Sequence, residues 1–577
     1  MRMDDLKKLN IEELQNIIVK MTEILTEKQR IKLENMIEEK EPYISDTEEI
    51  IVESRMSQEF VNEKMNQLEQ WMHQIDEGEV YLDLEEYEDY SNGYWNSELI
   101  ANYYDNQGIG DKVTSIVRFA KECVDDRKYQ EANILYEWLW EMLVMTDEEF
   151  GETADLEKLI EEKIIREDLK QLALLTLYTD YQVKKPEERA DDIYLYFSLY
   201  AFKNLHVEDM FHVGRENLTG AEQFWRDWIQ LLKTKNGDTE SRLLKEAVLY
   251  TDGLQGLVKM ADENYGIHPS LYLEAMNEYD KRHDYSEMEK TGERAISKIE
   301  RNLVIRGKIA LKAAYSASFL NHKDKVMFFC WEAFQSDSTE RNLLRLFGTK
   351  EMAELYGIRG GEILKSNIKA SSDRYARESE LCKNVIDSKE YDTLSFYTGD
   401  FKTTKAATKN PQGSLGWSGS YVGEGIRLFL LYLFEKTLPS KAATVVANAI
   451  GFEDYTTLEN NMNFENEIIE ESRKYKTSIF WNYFQRWKQY YPMSQEERKG
   501  YLSWVKKIVY SRADAIVGGQ HRGQYADVAV LIAMTAEIKE QMGEVGARRK
   551  VFEDYKRKFP RHSSFQAEMK NYFDMWK

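Results

Sequence analysis

Cysteine, proline and long apolar runs are all scarce in this chain, and each scarcity excludes something. Three cysteines, Cys123, Cys330 and Cys382, lie far apart and form no CxxC. That excludes a disulfide framework and a cysteine-rich zinc site, and it fits a reducing, cytoplasmic setting. The seven prolines (Pro42, Pro186, Pro269, Pro411, Pro439, Pro492, Pro560) all fall beside polar or turn-like stretches, which is where long helices force proline to sit. The longest apolar run, Leu428–Phe434, is far short of the ~20 residues a membrane-spanning helix needs. The opening Met1-Arg-Met-Asp-Asp-Leu-Lys-Lys lacks the apolar core of a signal peptide. Strand signals are thin: no Val/Ile/Thr alternation flanks Asn92-Gly93 or Asn236-Gly237.

What is present is helical periodicity in pairs. Leu271 to Tyr279 carries apolar and small residues at helical spacing, turns at Asp280–Asp284 and resumes from Tyr285 to Ala295. Ile116, Phe119, Ala120 and Cys123 precede a turn at Asp125–Lys128, after which Tyr129, Ala132, Tyr136 and Leu139 continue. A pair of this kind cannot bury its apolar face alone, so it stacks on neighbours into an array. At 577 residues, several domains or one long solenoid are expected. The expected class is all-α: a right-handed superhelical array of helix pairs, in two lobes hinged near Gly399–Gly425.

Four regions follow from the pattern. Residues 1–105 form an acidic N-terminal helical region, with helices over Ile11–Glu39 and Ser57–Gln74 and a solvated acidic loop at Asp76–Tyr94. The loop resembles a calcium site only superficially, since Tyr90 and Leu99 fall where oxygen ligands are required. Residues 106–398 hold the densest pairing, and Trp225 and Trp228 there read as core. Residues 399–425, rich in Gly, Lys and Thr, read as a linker. The alternatives are a partner-binding loop using Lys402, Lys405, Lys409 and Trp417, or a cleavage site. Residues 426–577 are helical again, with the aromatic stretch Phe480–Tyr491 reading mostly as core.

Charge is uneven. The chain is acidic overall, with a net charge of −24, yet Arg473 to Lys577 holds 21 basic and 11 acidic residues. Either this segment neutralises the acidic body, or it offers a basic surface to phosphates or an acidic partner. Arg486, Lys488, Lys556, Arg557 and Arg561 are the candidates for such a surface.

Tyr129, Ala132 and Tyr136, with Tyr272, Tyr279, Tyr285 and Ala295, resemble degenerate tetratricopeptide repeats. The run His521 to Ala529, Gly543, Ala547 and the closing Lys556-Arg-Lys-Phe-Pro-Arg561 are similar to the helical region of bacterial SWIM zinc-finger proteins, as are the segments around Arg306 and Ala333-Phe334. The finger's cysteine and histidine ligands are absent, so zinc and finger-mediated DNA binding do not carry over. The resemblance implies a bacterial helical-repeat scaffold and supplies no catalytic residues.

Catalytic patterns were weighed against that expectation. His206 and His212 lie six apart and point to different helix faces, unlike an i, i+4 metal pair. Gly416-Trp-Ser-Gly-Ser420 falls short of a GxSxG elbow. Arg557 and His562 have the spacing of helical HEPN nucleases, but Pro560 interrupts the motif. The sequence therefore points to a non-catalytic scaffold binding a protein or peptide, without cofactor or metal. The alternative is a nucleic-acid-associated component of a bacterial defence or regulatory system, acting through its basic C-terminal segment.

Overall fold

The computed structural model describes residues 56–89, 98–147, 152–367, 381–386, 388–408, 421–452 and 466–573. The expected helix over 11–39, and Lys409 and Trp417, lie outside them. By internal contacts the chain separates into Met1–Gln67 and Leu68–Lys577. In the first unit the described residues open the helix Gln58–Asp76.

The all-α class holds: the described residues form 26 α-helices and one two-stranded hairpin. From Ala221 to Ser336 each helix packs on the next. In addition, Asp238–Thr251 touches Ser270–Lys281, Gly253–Asn264 touches Tyr285–Lys298, and Ser270–Lys281 touches Val304–Phe319. Contact with the next helix and the next but one is what stacked pairs produce.

One turn recurs along the chain. Arg127, His283, Asn321 and Gly399 adopt left-handed φ values of 63°, 56°, 58° and 77°. The amide after each closes the preceding helix with a bond reaching five residues back. Lys128 N–H donates to Cys123 O at 2.8 Å, Asp284 N–H to Tyr279 O at 3.0 Å, His322 N–H to Ala317 O at 2.9 Å and Asp400 N–H to Ser395 O at 3.0 Å. This is the Schellman arrangement, which satisfies carbonyls the helix end leaves open. Each following helix starts one residue later, at Tyr129, Tyr285, Lys323 and Phe401.

Small residues set the spacing between stacked helices. Gly292 lies so close to Val304–Phe319 that a Cβ there would stand 2.6 Å from Ala313 Cβ. Beside this contact Arg306, only 3% exposed, donates to Glu332, Ser336 and the carbonyl of Ile296. It thereby ties three consecutive helices together.

Two expectations are corrected. The acidic stretch read as a loop is a strand: Asp83–Asp89 pairs antiparallel with Glu98–Tyr104, in a register that sets Leu84 against Tyr103 and Tyr87 against Ile100. Backbone pairing carries it, since Leu84 is the strand's one buried residue among those whose side chains are described. The second correction concerns 399–425. Its described parts are built into the core, with a helix at Phe401–Ala407 capped by Asp400 and another beginning at Val422. Phe396, before the segment, packs its ring against Phe401, Phe429 and Trp487, within and beyond it. Trp487 Nε1 also donates to Tyr397 O at 2.7 Å. A hinge there would have to split this aromatic cluster.

Candidate functional site

The residues singled out for a binding loop or a basic surface fare differently. Lys402 is exposed on the Phe401–Ala407 helix. Lys405, on the same helix, lies over the rings of Tyr501 and Trp504, 5.4 and 5.3 Å from their centroids. That contact holds it against the chain's own Gln495–Gly518 helix.

Arg486 and Lys488 do not belong to a basic surface. Arg486 donates to Gly348 O and pairs with Glu471 at 3.0 Å. Lys488 donates to Phe434 O, a carbonyl at the end of the Val422–Leu433 helix, and lies over the Tyr432 ring. Burial, with Arg498 nearby, pulls the Lys488 amine down to about 7. Both side chains serve backbone carbonyls of the fold. Lys556, Arg557 and Arg561 are exposed around the end of the Ala547–Lys558 helix, where Arg557 also reaches Asp554 at 2.5 Å. His562 follows the end of that helix, so the nuclease-like pair does not share a helical face.

His206 contacts Glu246 at 3.1 Å, and His212 ends the short 3₁₀ helix Val207–His212. Fully buried His268 is bonded on both ring nitrogens, to Ser241 Oγ at 2.7 Å and Leu232 O at 3.0 Å. With both nitrogens engaged in the interior, the Ser241–His268 pair is a strut between helices.

Two recesses open to the outside. One, of about 280 Å³, is lined by residues of both signs, among them Lys323, Arg345, Glu351 and Glu467. Its His322 is already engaged by Glu289 at 2.8 Å. The other, of about 300 Å³, lies where Tyr129–Glu141, Leu169–Val183 and Arg189–Tyr196 meet, and was not legible in the sequence. Glu137, Glu141, Asp180 and Asp192 line it with a single cation, Lys184, beside the rings of Trp140 and Tyr196.

Asp180 gives this second recess its character. It is 1% exposed, and its Oδ2 has no hydrogen-bond partner. Burial pushes its carboxyl up to about 7, against the lowering pull of Lys184 and of the Tyr196 hydroxyl, while Asp192 and Glu137 add to the rise. The Lys184 ammonium stands 3.8 Å from Asp180, 3.8 Å from Glu137 and 3.4 Å from Asp192. One cation is thus spread over three carboxylates, none of them at close ion-pair distance. Trp140 is held upright by its Nε1 bond to Thr176 Oγ1, 2.8 Å, and by an edge contact with Phe202.

No known protein family matches the chain, and no curated protein matches it. Among the described residues, no group of three or more His, Cys, Asp or Glu side chains is placed to hold a metal ion, and no helix is long and apolar enough to cross a membrane.

Proposed function

We propose that this protein is a non-catalytic, tetratricopeptide-like scaffold of bacterial type that binds a protein or peptide partner in the cytoplasm. The observation that carries the reading is the open recess over Asp180, set where the packed helices Tyr129–Glu141, Leu169–Val183 and Arg189–Tyr196 meet. A buried carboxylate oxygen left without a hydrogen-bond partner costs stability, and such groups concentrate where a ligand supplies what the fold does not. The recurrent turns at Arg127, His283 and Asn321 support the repeat-like part of the reading. The three cysteines, far apart in sequence and all buried, are in keeping with a reducing compartment.

A second reading has one specific observation behind it: the exposed group Lys556, Arg557 and Arg561 around a single helix end. In that reading the chain is a nucleic-acid-associated component of a defence or regulatory system. Replacing all three by glutamate separates the two. Partner retention that is unchanged, and insensitive to salt, supports the scaffold. Loss of retention together with a steep salt dependence in the unaltered protein supports the nucleic-acid reading.

A further inference from the structure

We propose that the recess over Asp180 is a socket for an arginine side chain presented by the protein partner. This inference rests on the scaffold reading and names the chemistry of the residue that docks.

Charge defines the occupant first. Four carboxylates face one internal ammonium, so the socket is short of positive charge even with Lys184 in place. Lys184 approaches no closer than 3.4 Å, and Asp180 Oδ2 is left without a donor. The missing component is therefore a cation that brings several N–H donors at once. A guanidinium carries five in a flat fork and can bridge two carboxylates, whereas a second ammonium would add only a point charge beside Lys184.

Shape and surroundings narrow the choice further. The rings of Trp140 and Tyr196 line the same recess, Tyr196 with one face stacked on Phe202, and put aromatic surface beside the carboxylates for a planar cation to pack against. Leu199 lines it too, with Leu195, which is 67% exposed and thus presents apolar surface to whatever carries the cation. That apolar rim fits the neighbouring residues of a peptide better than a free small cation, which would leave it uncovered. Metal chemistry is not what the donors suit, since no three ligating groups of the described residues converge at metal spacing.

Binding to the socket is coupled to protons. The titratable and charged groups facing Asp180 are Lys184 on its own helix, Glu137 and Glu141 from Tyr129–Glu141, and Asp192 and Tyr196 from Arg189–Tyr196. An incoming guanidinium needs the Asp180 carboxylate ionised, so affinity rises from pH 6 to pH 8 as the proton leaves.

Isothermal titration of the full chain tests this with a capped heptapeptide, one arginine flanked by leucines in a serine background, and its citrulline twin. The expected result is saturable binding of the arginine peptide, several-fold tighter at pH 8 than at pH 6. At least tenfold loss is expected with citrulline, with Asp180→Asn and with Glu141→Gln. Glu141 is exposed, so its replacement leaves the core untouched and keeps the test valid should Asp180→Asn perturb the fold. Absent saturable binding, or binding indifferent to citrulline and to both replacements, would overturn the socket. N-acetylarginine amide binding as tightly as the peptide would overturn its assignment to a protein partner. The scaffold reading stands apart from these outcomes: a partner retained equally by the unaltered protein and by Asp180→Asn would leave the scaffold standing while the socket falls.

Discussion

Asp180 occupies a position where a carboxylate is costly, and the sign of that cost is measurable. Its folded-state value, pushed up to about 7, lies above the ordinary 3.8. Between those values the folded protein holds a proton that the unfolded chain has released. Stability is therefore lost as pH rises through that window, and the full penalty is present above it. For a group this buried, the penalty is roughly 2–4 kcal/mol. Asp180→Asn, which keeps the shape and removes the charge, is expected to raise Tm by several degrees at pH 8 and by less at pH 5. Thermal melts at the two pH values check this. An equal change at both would mean that Asp180 does not titrate in the window. A stabilised but non-binding Asp180→Asn variant is the pattern of a residue kept for function.

The turns and close helix contacts give the predictions at the level of the element. Arg127 and His283 hold left-handed backbone without being glycine. Arg127→Gly and His283→Gly should each stabilise the protein by about 1 kcal/mol, read from denaturant midpoints. Asn321→Gly should gain less, since asparagine tolerates this conformation. Gly292→Ala pits two effects against each other. Alanine improves helix propensity by about 1 kcal/mol. The Cβ it adds, 2.6 Å from Ala313, forces the helices apart at a cost of about 1–3 kcal/mol. Packing wins, and net destabilisation is expected.

The same elements show what was legible beforehand. Helical pairing, the turn at Asp280–Asp284 and the core role of Trp225 and Trp228 follow from periodicity, because one buried stripe repeats along each helix. The hairpin escaped because its first strand is acidic and shows a single buried apolar residue, Leu84. The Asn92-Gly93 pair between the two strands was the signal that favoured it. The recess escaped for a different reason. Glu137, Glu141, Asp180, Lys184 and Asp192 read as ordinary charged positions on three helices, and only packing brings them together. Lys488 was misplaced for the converse reason: residue type said surface, while a helix-end carbonyl drew it inward.

Across the whole molecule, the opposed charge of body and C-terminal segment is partly consumed inside the fold. Arg486 pairs with Glu471 and Arg498 with Glu435. These contacts cross the boundary at Arg473 that composition suggests, so part of the basic excess holds the C-terminal helices in place. Other basic residues of the segment stay exposed, among them Lys499, Lys507, Arg549 and Lys550 as well as Lys556, Arg557 and Arg561. The net charge of −24 over the whole chain nonetheless favours a protein partner over a polyanion.

The most direct test of the scaffold is quantitative mass spectrometry of what co-purifies with the tagged protein from its own cells, with and without nuclease. The account predicts a protein partner at fixed stoichiometry that survives nuclease. Recovery of nucleic acid, with every protein partner lost once it is digested, would contradict it.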